Sequence, residues 1–210
     1  VTTGFERAWK ERTGEDIEIA PLRPGSWIAG DRDGNPFVTP EVTLAATRRA
    51  TWTLLGRYAE DVDTLVARLE AAGHILADRD ILPDDREAIA EKLRQWSRDP
   101  SIDVVLSTGG TGLTGRDVSV EAHRDVYEKE IDAFSTLFTF VSMQKIGTSA
   151  VQSRATGGVA NGTYMFALPG SPGACKDAWD EILVKQLDIR HKPCNFVEIM
   201  PRLEEHLQRK

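Results

Sequence analysis

The sequence predicts an α/β domain of three layers, α/β/α, around a mostly parallel sheet. From residue 63 onward, short apolar segments alternate with stretches whose apolar residues recur at helical spacing. Strands separated by helices are joined by right-handed crossovers and stack a sheet between two helical layers. One apolar segment also runs straight into a glycine-rich turn, and open α/β sheets bind ligands at that end of their strands.

Residues 1–40 read as an irregular N-terminal segment of undefined role, interrupted by Pro21, Pro24, Pro36 and Pro40. The α/β domain is placed at 41–210. Residues 41–47 are compatible with a short strand, and Arg48 to Trp52 shows no clear periodicity. Leu65, Val66, Leu69 and Ala72 share one helical face, and Gly73 follows as a stop. His74 to Asp80 reads as a strand centred on Ile75 and Leu76. Asp84 and Glu87 have capping-box spacing at the head of a helix with Ile89, Leu93 and Trp96 as its apolar stripe. Ile102 to Leu106 is a short strand, apolar except at Asp103, of the kind buried in parallel sheets.

Beyond the glycine turn, Ser119 is placed as the cap of a helix running through Val126 and Tyr127. Ile131, Phe134, Leu137, Phe138 and Val141 give residues 130–144 helical spacing. Thr163 to Leu168 is a buried strand. Ser171 caps the last helix, with Pro172 at its first position and Trp179, Ile182, Leu183 and Leu187 on its inner face.

At 210 residues and 40% hydrophobic composition, the chain can bury a core. A net charge of −7 argues against nucleic acid as a partner, which favours a basic face. Cys175 and Cys194 form neither a metal motif nor a disulfide framework, so a reducing cytoplasm is expected. The polar N-terminus and the lack of a long apolar stretch predict no secretory signal and no membrane span.

The chemistry concentrates in Ser107-Thr108-Gly109-Gly110-Thr111-Gly112. Glycines let the backbone turn sharply and bring main-chain N–H groups close to an anion. No Lys follows the last glycine, so this is not a Walker loop, and the Gly-x-Gly-x-x-Gly spelling from Gly110 lacks the context of a dinucleotide site. Asp117 follows near a helix start, where it is either a turn carboxylate or an acid beside bound phosphates, able to orient Mg²⁺. Asp84 is either a cap or a second acid on the same rim. Pro169-Gly170-Ser171 feeds a helix and forms a second candidate phosphate turn. Ser153 and Arg154 offer a hydroxyl and a planar cation, or a plain surface charge. His74, His123, His191 and His206 have no metal spacing.

Residues 106–117 resemble the signature of the molybdenum cofactor biosynthesis family that contains MoaB and MogA. The likeness continues through Ile146–Ala155 and Phe166–Pro172, and Arg190–Phe196 with Gln152-Ser153-Arg154 looks like the MoaB branch. It spans about residues 63–197. The resemblance implies a molybdopterin-binding, MogA-like fold and assembly into homotrimers or homohexamers. It also implies adenylyl transfer, in which molybdopterin attacks the α-phosphorus of ATP, with Mg²⁺, and pyrophosphate leaves. Asp84 and Asp117 match the family's two functional aspartates, as catalytic and metal-binding groups. Thr108, Gly109, Gly110, Thr111, Gly112, Pro169, Gly170 and Ser171 match its pterin-phosphate positions, and Ser153 and Arg154 join them as substrate-binding candidates. The alternative is a molybdopterin-binding or scaffold protein without transferase activity, because function lives in sites rather than folds.

One stretch departs from the family. An apolar first strand ending in Ser-Asp-Thr-Arg is expected, and Val42 to Val62 contains no such signature. One hypothesis is that the segment before residue 63 is read in an altered frame or belongs to a truncated or misassembled gene, which would leave the sheet short of a central strand.

Overall fold

A computed structural model describes residues 39–208. The chain divides into two compact units, Val1–Tyr58 and Ala59–Lys210. The irregular reading of residues 1–40 falls almost wholly outside the described residues.

Helix α1 (Pro40–Ala71) replaces the short strand expected at 41–47. Thr39 accepts the Val42 amide at 3.3 Å, the bond of an N-cap, and Pro40 stands at the first helical position. Glu41, Leu44, Ala45 and Ala46 are good helix formers, and their propensity wins where apolar alternation is weak. The helix ends at Gly73 (φ 91°), where the Gly73 amide bonds Glu70 and the His74 amide bonds Leu69, the Schellman pattern.

No strand forms over His74–Asp80. Ile75 is 92% exposed, and the polar half of the segment is drawn elsewhere: Asp78 and Asp80 pair with Lys92, and Arg79 with Asp63. Two apolar residues without a neighbouring strand do not sustain a ladder. Helix α2 (Arg86–Ser97) follows, and its cap is Asp85, which accepts the Ala88 amide at 2.8 Å. Asp84 is therefore not the cap. Trp96, expected in the core, is half-buried and donates its indole N–H to Asp78.

Strand β1 (Val104–Thr108) leads to α3 (Ser119–Arg124), the short β2 (Lys129–Glu130) and α4 (Asp132–Ile146). Val118, not Ser119, holds the cap position of α3, and no side chain caps it. β3 (Thr156–Ala160) and β4 (Thr163–Leu168) are joined by Asn161-Gly162, both at positive φ (47° and 78°), the two-residue turn that closes tight hairpins. Ser171 caps α5 (Pro172–Ala178) as expected, accepting the Ala174 amide.

The described strands form one sheet in the order β1-β4-β3-β2. β1 pairs parallel with β4, Val104 opposite Tyr164 and Thr108 opposite Leu168, whereas β3 pairs antiparallel with both of its neighbours. The α/β class holds and the sheet is mixed rather than mostly parallel, because the hairpin reverses the chain where a crossover was expected. All six residues of β4 are buried. Tyr164, Phe166 and Leu168 pack with Phe134 and Phe138 of α4 and with Leu65, Trp179 and Leu183. Met165 packs on the opposite face with Leu93 of α2 and Val105 of β1. Helices thus cover both faces of the central strand, and the three layers are present.

Candidate functional site

The site lies at the carboxyl ends of β1 and β4. Because these strands run parallel, each delivers a glycine turn at the same end of the sheet. The first turn begins at Gly109 (φ 98°) and Gly110 (φ 62°), in backbone conformations that favour glycine. The Gly109 amide donates to the Leu168 carbonyl at 3.0 Å, and the Ser119 amide closes the turn onto the Gly110 carbonyl at 2.9 Å.

The second turn, Pro169-Gly170-Ser171, packs directly on the first. A Cβ on Gly170 would stand 3.1 Å from the Gly109 Cα. Thr108 donates its hydroxyl to the Pro169 carbonyl at 3.0 Å, and the buried Cys175 thiol reaches that oxygen at the same distance. Both candidate phosphate turns therefore belong to one surface.

Asp84 and Asp117 lie beside the first turn. Asp84 is exposed, with Oδ1 3.4 Å from where a Gly110 Cβ would be. Among the described residues its carboxylate has no hydrogen bond or ion pair, which leaves it open to a ligand. Asp117 stands at Gly112, with Oδ2 2.8 Å from that residue's ideal Cβ. Asp117 accepts the Thr114 hydroxyl at 2.6 Å and the Thr114 amide at 2.8 Å, and these bonds hold its pKa below the usual carboxylate value. Among the described residues no cluster of three metal-ligating side chains exists. Two carboxylates beside a candidate phosphate turn nevertheless suit Mg²⁺, which takes one or two protein carboxylates and completes its shell with water and substrate phosphates.

Arg154 is used differently from the expectation. Its Nε donates to the carbonyl oxygens of Thr111 (2.8 Å) and Gly112 (3.1 Å). Its two terminal nitrogens bind the Glu121 carboxylate at 2.6 and 3.2 Å, a bidentate pair that lowers the Glu121 pKa. The guanidinium thus grips the loop from its carbonyl side. Ser153 precedes it, half-buried, with its amide on the Ala150 carbonyl.

Two further residues at this site were not singled out from the sequence. His123 is fully buried, 2.9 Å from the Ser107 hydroxyl and 2.7 Å from the Ser119 carbonyl oxygen. Glu121 holds Arg154. Neither was marked by a motif: Glu121 meets Arg154 across the fold, and His123 joins the Ser119 carbonyl one turn back on α3 to Ser107 on β1. No helix among the described residues is long and apolar enough to cross a membrane.

A family model described as a probable molybdopterin binding domain matches residues 53–189. The chain is 43% identical over 154 residues to molybdenum cofactor biosynthesis protein B of Escherichia coli K12, covering 71% of this chain and 91% of that protein. It is 37% identical over 124 residues to the protein of the same name from Bacillus subtilis, covering 59% of this chain and 73% of that one. A crystal structure of molybdenum cofactor biosynthesis protein B superposes with a TM-score of 0.60 at 35% identity, over 68% of this chain and 84% of that one. The molybdopterin biosynthesis enzyme MoaB of Thermus thermophilus gives 0.53 at 29% identity, over 60% and 76% of the two chains. A phosphoenolpyruvate carboxylase model also matches residues 2–103, slightly less than half of the chain.

Proposed function

Since the chain belongs to the molybdopterin-binding domain family of molybdenum cofactor biosynthesis proteins, we propose that it binds molybdopterin and transfers to it the adenylyl group of ATP. The observation that carries this reading is the contact of two glycine turns, with Asp84 and Asp117 beside the first of them.

The reaction is a displacement at phosphorus. Molybdopterin attacks the α-phosphorus of ATP, the bond to the β-phosphate oxygen breaks, and pyrophosphate leaves with that electron pair. Such transfers rest on positioning and charge neutralisation and require no nucleophilic side chain. The backbone amides of Gly110 and Thr111, with those of Gly170 and Ser171, cradle the anionic groups, while the Gly109 amide is held by the Leu168 carbonyl. Mg²⁺, when bound, supplies positive charge to the phosphates, and Asp84 and Asp117 are the side chains that would hold it. Arg154 satisfies the Thr111 and Gly112 carbonyls and so braces the loop.

Leu137, Phe140, Met143 and Ile146 leave an apolar stripe on α4, each at least 45% exposed. That stripe supports assembly into a homotrimer or homohexamer. A second reading, a molybdopterin-binding scaffold without turnover, is favoured by one observation: among the described residues β1 has β4 as its sole neighbour.

Incubating the protein with molybdopterin, Mg²⁺ and ATP tests both readings. Adenylyl-molybdopterin and pyrophosphate are expected. Tight pterin binding without product would sink the transferase reading and leave the scaffold.

A further inference from the structure

The glycine turn between β1 and α3 is tied at both ends to one side chain. Ser107 is the penultimate residue of β1 and Ser119 the first of α3, and His123 touches both. The Ser119 carbonyl can only accept, so Nδ1 at 2.7 Å carries the ring proton. In the neutral ring Nε2 is then a bare acceptor, and the Ser107 hydroxyl at 2.9 Å donates to it. Ser107 also lies 3.4 Å from the Phe166 carbonyl, but its one hydrogen goes to the shorter contact. The imidazole therefore bridges the two feet of the loop that holds Gly109, Gly110 and Gly112.

We propose that His123 is a positioning residue for the ligand-binding loop, setting through Ser107 and Ser119 the separation of its two ends and hence the aim of its amides. The inference deepens the reading of this loop as the pterin-phosphate site and rests on it. Three features support a bridge over a passive core histidine. The ring makes both of its hydrogen bonds to residues flanking the loop. It is fully enclosed, with Tyr127 edge-on at 6.0 Å, so water does not substitute for either bond. Burial also lowers its pKa to about 4, which keeps the ring neutral and the bridge intact at neutral pH.

The test uses nitrogen NMR on the ligand-free protein together with molybdopterin titrations. His123 is expected to show a protonated Nδ1 and a bare Nε2. His123→Leu is expected to shift the Gly109, Gly110 and Gly112 amide resonances and to weaken molybdopterin about tenfold, the worth of one net hydrogen bond. His123→Gln, which still accepts from Ser107, recovers part of that loss. Ser107→Ala, which removes one hydroxyl and spares the core, reproduces the loss and decides the matter should His123→Leu fail to fold. The opposite tautomer overturns the proposal, as do unmoved glycine resonances with unchanged affinity. If the wild-type chain does not bind molybdopterin, the functional reading fails, while the ring tautomer and the glycine resonances still decide whether His123 sets the loop.

Discussion

Gly170 meets Gly109 backbone to backbone, so closely that a Cβ on Gly170 would lie 3.1 Å from the Gly109 Cα. The two candidate phosphate turns are one packed unit, and a methyl group on Gly170 would have to push the Gly109 backbone aside by a few tenths of an ångström. Gly170→Ala is expected to cost roughly 1–3 kcal/mol of stability, as overpacking does. It should also weaken molybdopterin more than Gly173→Ala, where an added Cβ meets nothing within 4 Å. Denaturant unfolding and a binding titration on both variants check this.

Arg154 braces the same loop from outside. Lys keeps the charge but not the planar fork that reaches two carbonyls and a carboxylate together. Arg154→Lys is expected to lower stability by about 1–3 kcal/mol and to weaken ligand binding. Glu121→Gln, which leaves the guanidinium in place with a weaker partner, should show the smaller change in both measurements.

The two aspartates should separate. Asp84 has no side-chain partner among the described residues, so Asp84→Asn is expected to leave the melting temperature unchanged while product formation falls about a hundredfold. Asp117 holds both Thr114 donors, so Asp117→Asn is expected to lower the melting temperature as well as the rate. A calorimetric scan beside a single-turnover assay resolves the pair.

His123 makes stability fall in acid. Its folded-state pKa of about 4 lies below the ordinary 6.5, so the unfolded chain takes up the proton first. The stabilisation is complete above pH 6.5 and is lost as the pH falls toward 4, by roughly 3 kcal/mol in all. In His123→Leu, unfolding free energies measured across that window should fall less steeply than in the wild type.

The parts legible in the sequence were those with local causes. Ser171-Pro172 begins a helix wherever it is placed, and Gly73 ends one by its own φ. Asp84 and Asp85 show the limit of spacing: adjacent carboxylates offer the same pattern, and backbone geometry alone chose Asp85 as the cap. Asn161-Gly162 is a strong hairpin signal, and the hairpin it closes gives the sheet its mixed character. Ile75 and Leu76 had strand composition, but a ladder needs a neighbour and none is present among the described residues. The family's first-strand signature is missing before residue 63, where the described residues form helix α1. Within the site, the motifs named the two turns and both aspartates, and the fold places Asp84 and Asp117 beside the first turn. The contacts of Arg154 with Thr111, Gly112 and Glu121, and of His123 with Ser107, could not be read from motifs, since they are made across the fold.

The register of β1 against β4 places Thr108 opposite Leu168, so both turns leave the sheet at the same height and one strand apart. Adjacent strands repeat at about 4.8 Å, a dimension belonging to the backbone ladder and not to any side chain. The ladder therefore acts as a caliper. A ligand held by both turns would be gauged against the width of a peptide pairing, and substitutions around the rim that add no atom between the two turns change how firmly the jaws grip without resetting their span.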